Sequence, residues 1–357
     1  MDRLFDIGTL PSFLVPFVSL SYSTPTPSYT DSFPESTYYE IGYRDVCLMV
    51  SIIAIMAVLR DAARLLVLEP FASWKLTRDW RHSKTTHANG SAKIEASPNA
   101  KSNGHVNEKS CLGLAEGSRE ARRIRHSVIR FAEQGWVFVY YLAQWSFGLY
   151  VYINVPKDPW TGYPHTQLPG PVKLYYLVQM SFYLHAVLVL NAEARRKDHW
   201  QMNAHHIITI VLMGLSYTYN FTRVGCLITF IMDWCDIILP FAKMLRYLGY
   251  QTLCDGAFIS FMISWLYTRT YLFTRVVIST SVDAPRILPF DWRPEEGFYF
   301  TKEAHMGFMA LLISLEILQV FWCYLIFSVA YRVATGQGAD DSRSDDEDEN
   351  GDVKKDR

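Results

Sequence analysis

His205-His206-Ile207-Ile208-Thr209-Ile210-Val211-Leu212-Met213-Gly214-Leu215-Ser216-Tyr217, then Val224-Gly225-Cys226-Leu227-Ile228-Thr229-Phe230-Ile231-Met232-Asp233-Trp234-Cys235-Asp236, is the stretch that decides the fold. With its flanks each run comes to about 20 mostly apolar residues, the length a helix needs to cross a bilayer. Only a short turn around Arg223 separates them, so they form an antiparallel hairpin. An ionisable side chain at membrane depth costs roughly 2.5–3.5 kcal/mol on insertion scales. Two histidines and two aspartates in consecutive spans therefore point to a reaction centre within the membrane.

Working outward, the same length rule gives candidate spans at 46–68, 134–154, 172–192, 203–222, 224–243, 255–280 and 305–331. The expected class is an all-α integral membrane protein with about seven transmembrane helices. The first span is interrupted by Arg60-Asp61-Ala62-Ala63-Arg64. The segment 10–20 is apolar but short and holds Pro11 and Pro16, so it reads as interfacial; were it to cross, there would be eight spans. It lacks the basic start and cleavage site of a signal peptide.

Lys and Arg in the loops set the orientation. Twelve lie in 69–133, only Lys157 follows the second span, Arg195-Arg196-Lys197 follow the third, and Lys243 and Arg246 follow the fifth. This puts 69–133, 193–202, 244–254 and the C-terminus in the cytosol and the N-terminal 1–45 segment in the lumen. The 281–304 loop is mixed in charge. Residues 69–118 read as a cytosolic linker, flexible through the Ser, Asn, Gly and Lys rich 83–118, and 119–133 as a basic amphipathic helix leading into the second span. Asn89 and Asn220 fit the glycosylation pattern, but one is on the cytosolic side and the other too close to the membrane.

Charge is unevenly spread. The total is −1, yet 340–352 carries eight acids and one base, leaving the rest of the chain at +6. The tail 332–357 is therefore expected to be acidic and disordered. Within it Ser342 and Ser344 each precede an acid by three residues and are candidates for phosphorylation. Lys354 and Lys355 stand fourth and third from the end, as in a cytosolic retrieval signal. Six cysteines without a CxxC pair read as small buried apolar residues, and no nucleic-acid partner is expected.

Counting depth at 1.5 Å per residue places His185, Asp236 and the His205-His206 pair at a similar shallow level below the cytosolic side. Asp233 and Asp236, at i and i+3, share a face. His205 and His206 lie about 100° apart and cannot point at one spot. Thr209, Leu212 and Ser216 follow His205; Ile210, Tyr217 and Asn220 follow His206. Adjacent histidines are poor joint metal ligands, since the helical zinc pair is spaced i, i+4, so no metal is expected. Histidine with carboxylates suits proton transfer or acyl transfer; a buried polar network tying helices together is the alternative.

The stretch Arg196-Lys197-Asp198-His199-Trp200-Gln201-Met202-Asn203-Ala204-His205-His206-Ile207-Ile208-Thr209, with Ser216-Tyr217, Asn220, Arg223, Gly225, Asp233-Trp234-Cys235-Asp236 and Ala242-Lys243, closely resembles the Lag motif of ceramide synthases. These are endoplasmic reticulum members of the TLC-domain family, and the wider resemblance covers about 120–330. The acidic tail with its two lysines resembles that of fungal members. The resemblance implies a TLC domain over 119–331, a helix bundle around a lipid cavity open to the cytosol. It implies transfer of a fatty acyl group from acyl-CoA to a sphingoid base, giving ceramide and CoA without a cofactor. It implies an essential set of His205, His206, Asp233 and Asp236. In that frame one aspartate orients His205, and His206 holds the carbonyl oxygen or relays a proton. His185 and Arg269 are candidates for support, Arg269 needing an internal partner. Arg195, Arg196, Lys197, Lys243 and Arg246 are candidates for the CoA phosphates. The segment 281–304 is where such proteins partly set acyl length. Fungal relatives work with a second synthase chain and a small single-span subunit. The rivals are a non-catalytic lipid-binding TLC protein and a metal-dependent membrane lipid enzyme.

Overall fold

A computed structural model describes residues 10–27, 30–94, 119–192 and 198–335. Seven long helical stretches occupy the places of the predicted spans. Helix α1 runs Asp45–Ala63, passes through a π-helical turn at Arg64–Leu68 and continues as Glu69–Ile94. Helices α2 (Arg119–Asn154), α3 (Gly170–Ala192), α4 (His199–Thr218) and α5 (Thr222–Tyr247) follow. Helix α6 runs Gln251–Ser264, a π-helical Trp265–Leu272 and Phe273–Val282; α7 is Lys302–Ala334. Among the described residues four helices are long and apolar enough to cross a membrane: those over 45–82, 170–192, 222–247 and 302–332. The chain is thus a multi-pass helical membrane protein.

Contacts divide the chain into two units, Met1–Val58 with Tyr141–Asp236 and Ser260–Arg357, and Leu59–Tyr140 with Ile237–Ile259. In the first, α4 packs against α3 and α7, and α7 against α6. The α4–α5 turn closes by Phe221 N–H donating to Ser216 O (2.8 Å) and Asn220 N–H to Tyr217 O (3.3 Å). Asn220 sits at φ 62°, the left-handed position that ends many helices and that asparagine tolerates. This stops α4 at Thr218, short of the expected 222. The Asn220 amide is buried and donates to Gly297 O at 2.9 Å, so no sugar can be attached there.

The all-α reading misses a small three-stranded antiparallel sheet of β1 (Ser23–Thr24), β2 (Tyr38–Tyr39) and β3 (Leu168–Pro169). Two-residue strands carry no periodicity to read. The sheet holds the N-terminal segment on the loop before α3. Beneath it Lys173 Nζ, fully buried, meets Asp45 Oδ1 at 2.7 Å and donates to the carbonyls of Ser21 (2.9 Å) and Glu40 (2.7 Å). Asp45 Oδ2 accepts from Tyr217 Oη at 2.9 Å and Gly42 N–H at 3.0 Å. One buried ion pair therefore ties the start of α1 and the start of α3 to the end of α4.

The loop before α3 is anchored as well. Arg223 Nη2 reaches Asp31 Oδ1 at 2.7 Å and Oδ2 at 2.5 Å, and Nη1 donates to Thr161 O at 3.2 Å. Burial raises the Asp31 carboxyl, but hydrogen bonding and charge from Arg223, with Ser32, outweigh it and hold Asp31 below its ordinary value. His165 lies beside this pair with its ring nitrogens 3.3 Å from Asn220 O and 3.1 Å from Thr161 O. Burial, then Arg223, push its pKa down from 6.5 to about 4. The unfolded loop thus takes a proton first as pH falls. Stability from neutral His165 is full above pH 6.5 and is lost as pH drops toward about 4. Thermal unfolding of the detergent-purified protein should fall by several degrees across that range, and His165→Gln should flatten the fall. Equal pH profiles for the two proteins would refute this.

In the second unit, Ala72, Val128 and Phe131 form a core with Leu68, Leu76 and Ile124 packed on it. Phe71 meets Phe131 at 5.9 Å, and Phe138 stacks on Phe241 at 5.6 Å. The linker expected to begin at 69 is a correction: the helix continues to Ile94. The stripe Leu68, Ala72, Leu76 buries against α2, and Lys75 pairs with Asp79 at 2.8 Å one turn on, so helix outweighs coil here. The charged interruption at 60–64 leads into the π turn instead of ending the helix. Residues 95–118 and the tail from 336 lie outside the described residues.

Candidate active site

An apolar cavity lies wholly within the first unit. Helix α4 gives it one stripe, His205, Thr209, Leu212, Met213 and Ser216. This is the His205 face read from the sequence. Helix α5 adds Val224, Ile228 and Met232 at four-residue intervals. Gly225 lets the helices approach: a Cβ there would stand 2.5 Å from the Tyr176 hydroxyl, which donates to Met213 O at 3.1 Å. The cavity walls are mostly carbon, with polar groups set at intervals: His205, Arg269 in contact with Gln319, and His305 in contact with Thr280 and Phe300.

His205 and His206 diverge as their 100° spacing requires. Their rings are 5.5 Å apart; His205 meets the edge of Trp322 at 5.2 Å, while His206 meets Tyr183 at 5.9 Å. His205 lines the cavity and His206 is not among its lining residues. Nδ1 of each is buried without a hydrogen-bond partner. A buried polar atom left unpaired is costly, so these atoms are ready acceptors or donors for a bound molecule.

The aspartates sit on the same helix with separate partners. Asp233, fully buried, accepts from Gln179 Nε2 at 2.9 Å on each oxygen. Asp236 pairs with Arg269 Nη2 at 2.6 Å. Neither is bonded to His205 or His206, contrary to the sequence expectation. Side chains on α5 at these positions meet α3 and α6 first. Arg269 has the internal partner it needed, and it is buried by the π-helical turn Trp265–Leu272, which also buries Trp265 and Thr268. Such a turn adds a residue to the helix and is frequent at functional sites. Arg269 also donates to Met232 O at 3.0 Å and lies 4.8 Å over Trp265.

The remaining candidates are scattered. His185 is buried on α3. Lys243 and Arg246 lie toward the end of α5, in the second unit. Arg195, Arg196, Lys197, Ser342 and Ser344 lie outside the described residues. Among the described residues no three of His, Cys, Asp and Glu converge as a metal set. A second, more polar cavity holds Asp31, His165 and Arg223 but none of the predicted catalytic residues.

The TLC domain of the TRAM, LAG1 and CLN8 family matches residues 130–328, more than half of the chain. The chain belongs to the TLC-domain family. It is 44% identical to the sphingosine N-acyltransferase lag1 of Schizosaccharomyces pombe, over 64% of this chain and 60% of that protein. It is 29% identical to Ceramide Synthase FUM18 of Gibberella moniliformis, over 94% of this chain and 77% of that one. With ceramide synthase 4 of Bos taurus it shares 33% identity over 60% of this chain and 54% of that one. The match thus spans about three fifths of the length of the first of these relatives.

In this TLC-domain chain the sequence reading passed over Gln179, Gln319, Tyr183 and Trp322. The two glutamines had a visible signal, being amides within the apolar runs 172–192 and 305–331. A buried amide needs partners, as a buried charge does. The aromatic pair had none, because Tyr and Trp are common in such spans.

Proposed function

We propose that this chain is a ceramide synthase of the endoplasmic reticulum membrane, acylating a sphingoid base from fatty acyl-CoA. The observation that carries the reading is His205, with an unpartnered buried Nδ1, lining a cavity walled mainly by carbon. Gln319 and His305 both line that cavity and stand fourteen residues apart on α7. That is about 21 Å of helix. One leaflet of hydrocarbon is about 15 Å, so the stretch of α7 that lines the cavity is longer than one leaflet is deep.

The chemistry has two steps. An imidazole nitrogen of His205 attacks the thioester carbonyl; the C–S bond breaks and the CoA thiolate takes the proton the imidazole sheds. The deprotonated sphingoid amine then attacks the acyl-imidazole. The bond to His205 breaks, the amide forms, and the amine proton passes to the freed ring. Direct attack with His205 as base gives the same products. Asp233 and Asp236 serve through Gln179 and Arg269, and His206 through Tyr183. In this reading all seven helices cross, the His205 end and the C-terminus face the cytosol, and Arg195, Arg196, Lys197, Lys243 and Arg246 are each candidates for binding a CoA phosphate. A second synthase chain and a small accessory subunit are candidate partners.

An amide-synthesis assay on purified membranes tests this, offering a panel of acyl-CoAs and sphingoid bases with and without chelator. Ceramide formation unaffected by chelation is expected. No ceramide from folded protein, even with host membranes added, would sink the reading; loss on chelation would favour a metal enzyme.

The far end of the cavity is closed by Trp160, Phe221, Phe300 and Ala284, the last two within the 281–304 segment. Ala284 is fully buried. Ala284→Phe should shorten the cavity and shift the product mixture toward shorter acyl chains by several-fold. Mass analysis of ceramides made from equimolar acyl-CoAs reads this out, and an unchanged distribution would refute the assignment of the floor.

A further inference from the structure

Gln319 stands on α7 three residues after Glu316, is 2% exposed, and lines the same cavity as His205. Its Oε1 faces Arg269 Nη1 at 3.5 Å. A guanidinium only donates, so this contact fixes which way the amide is turned. Nε2 then faces away from Arg269, and its contact is the Met232 sulfur at 4.0 Å. A thioether is a weak acceptor, so a buried NH₂ group keeps most of its donor capacity unused. Trp322, three residues on and so on the same face of α7, meets the His205 ring at 5.2 Å. Arg269 is itself fixed by Asp236 at 2.6 Å and Met232 O at 3.0 Å. A chain of contacts therefore runs from Asp236 through Arg269 to Gln319 and ends on an open donor at the cavity wall.

We propose that Gln319 Nε2–H donates to the thioester carbonyl oxygen as it becomes an oxyanion, with Arg269 and Asp236 as positioning residues that hold Gln319. The inference rests on the acyltransferase reading. As the nucleophile's electron pair forms its bond to carbon, the carbonyl π pair moves onto oxygen, where Gln319 stabilises it. The pair then returns, the C–S bond breaks and the thiolate leaves. Gln319 neither gains nor loses a proton. This gives Asp236 a catalytic consequence without contact with an imidazole.

The test is steady-state kinetics of purified wild type and Gln319→Met, which keeps the volume and removes the donor. Loss of one oxyanion donor typically lowers kcat by about 10²–10³. The expected result is that loss in kcat, KM for acyl-CoA within about threefold, and unchanged affinity for a thioether analogue of acyl-CoA that has no carbonyl. Asp236→Asn should lower kcat similarly, and the double variant should be no worse than the poorer single one. Gln319→Glu, isosteric but without the N–H, repeats the test should the methionine variant fold poorly. Retained kcat in both Gln319 variants, or loss of thioether binding in step with activity, would overturn the proposal. Wild type inactive on every acyl-CoA would overturn the acyltransferase reading and this inference together, whereas active wild type with unimpaired variants overturns only the inference.

Discussion

His205→Ala should lower ceramide formation by about 10³-fold or more, within or above the range for losing a positioned acid or base. The reason is geometric. Of the adjacent histidines, His205 alone lines the cavity, with its Nδ1 buried and unpartnered. His206 turns to Tyr183, at 5.9 Å, and its alanine variant should lose activity by a smaller factor through that contact. Both variants should unfold within a few degrees of wild type, since neither imidazole ties two helices by a hydrogen bond. The measurement is initial rate in membranes against protein quantified in the folded state. A His205→Ala protein within tenfold of wild type, or one that has lost more stability than activity, would rule out the proposed role.

Lys173→Met should give the largest loss of stability. Lys173 and Asp45 are both buried, 2.7 Å apart. Removing one member of such a pair leaves a buried charge alone and costs about 3–5 kcal/mol. Lys173 also holds the carbonyls of Ser21 and Glu40, so its loss frees the N-terminal segment as well. Replacing both partners, Lys173→Met with Asp45→Leu, should recover part of the loss, because no lone charge remains. Chemical or thermal unfolding in detergent separates the cases. A single variant within about 1 kcal/mol of wild type would show that the pair contributes little.

Much of this was readable from the chain. Apolar runs located the long helices to within a few residues at most ends, because a span length is a physical constant of the bilayer. Ends that depended on packing were misjudged. The first helix was stopped at 68 because its next residues look polar, yet Leu68, Ala72 and Leu76 find a neighbour in α2. The fourth was run on to 222 because nothing local announces that Asn220 adopts a left-handed turn. Lys173 was not singled out, although it is among the most deeply buried side chains.

Residue order alone makes this a helical membrane protein with histidines and aspartates in consecutive apolar runs, since apolar length and the cost of buried charge are local properties. It also determined that His205 and His206 face different ways, because that follows from the helix repeat. Only the tertiary structure decided which of them meets the cavity, and that Asp233 belongs to Gln179 and Asp236 to Arg269. Those pairings depend on how α3, α5, α6 and α7 pack and on a π turn that rotates Arg269 inward, and no spacing along one helix encodes which neighbour it will meet.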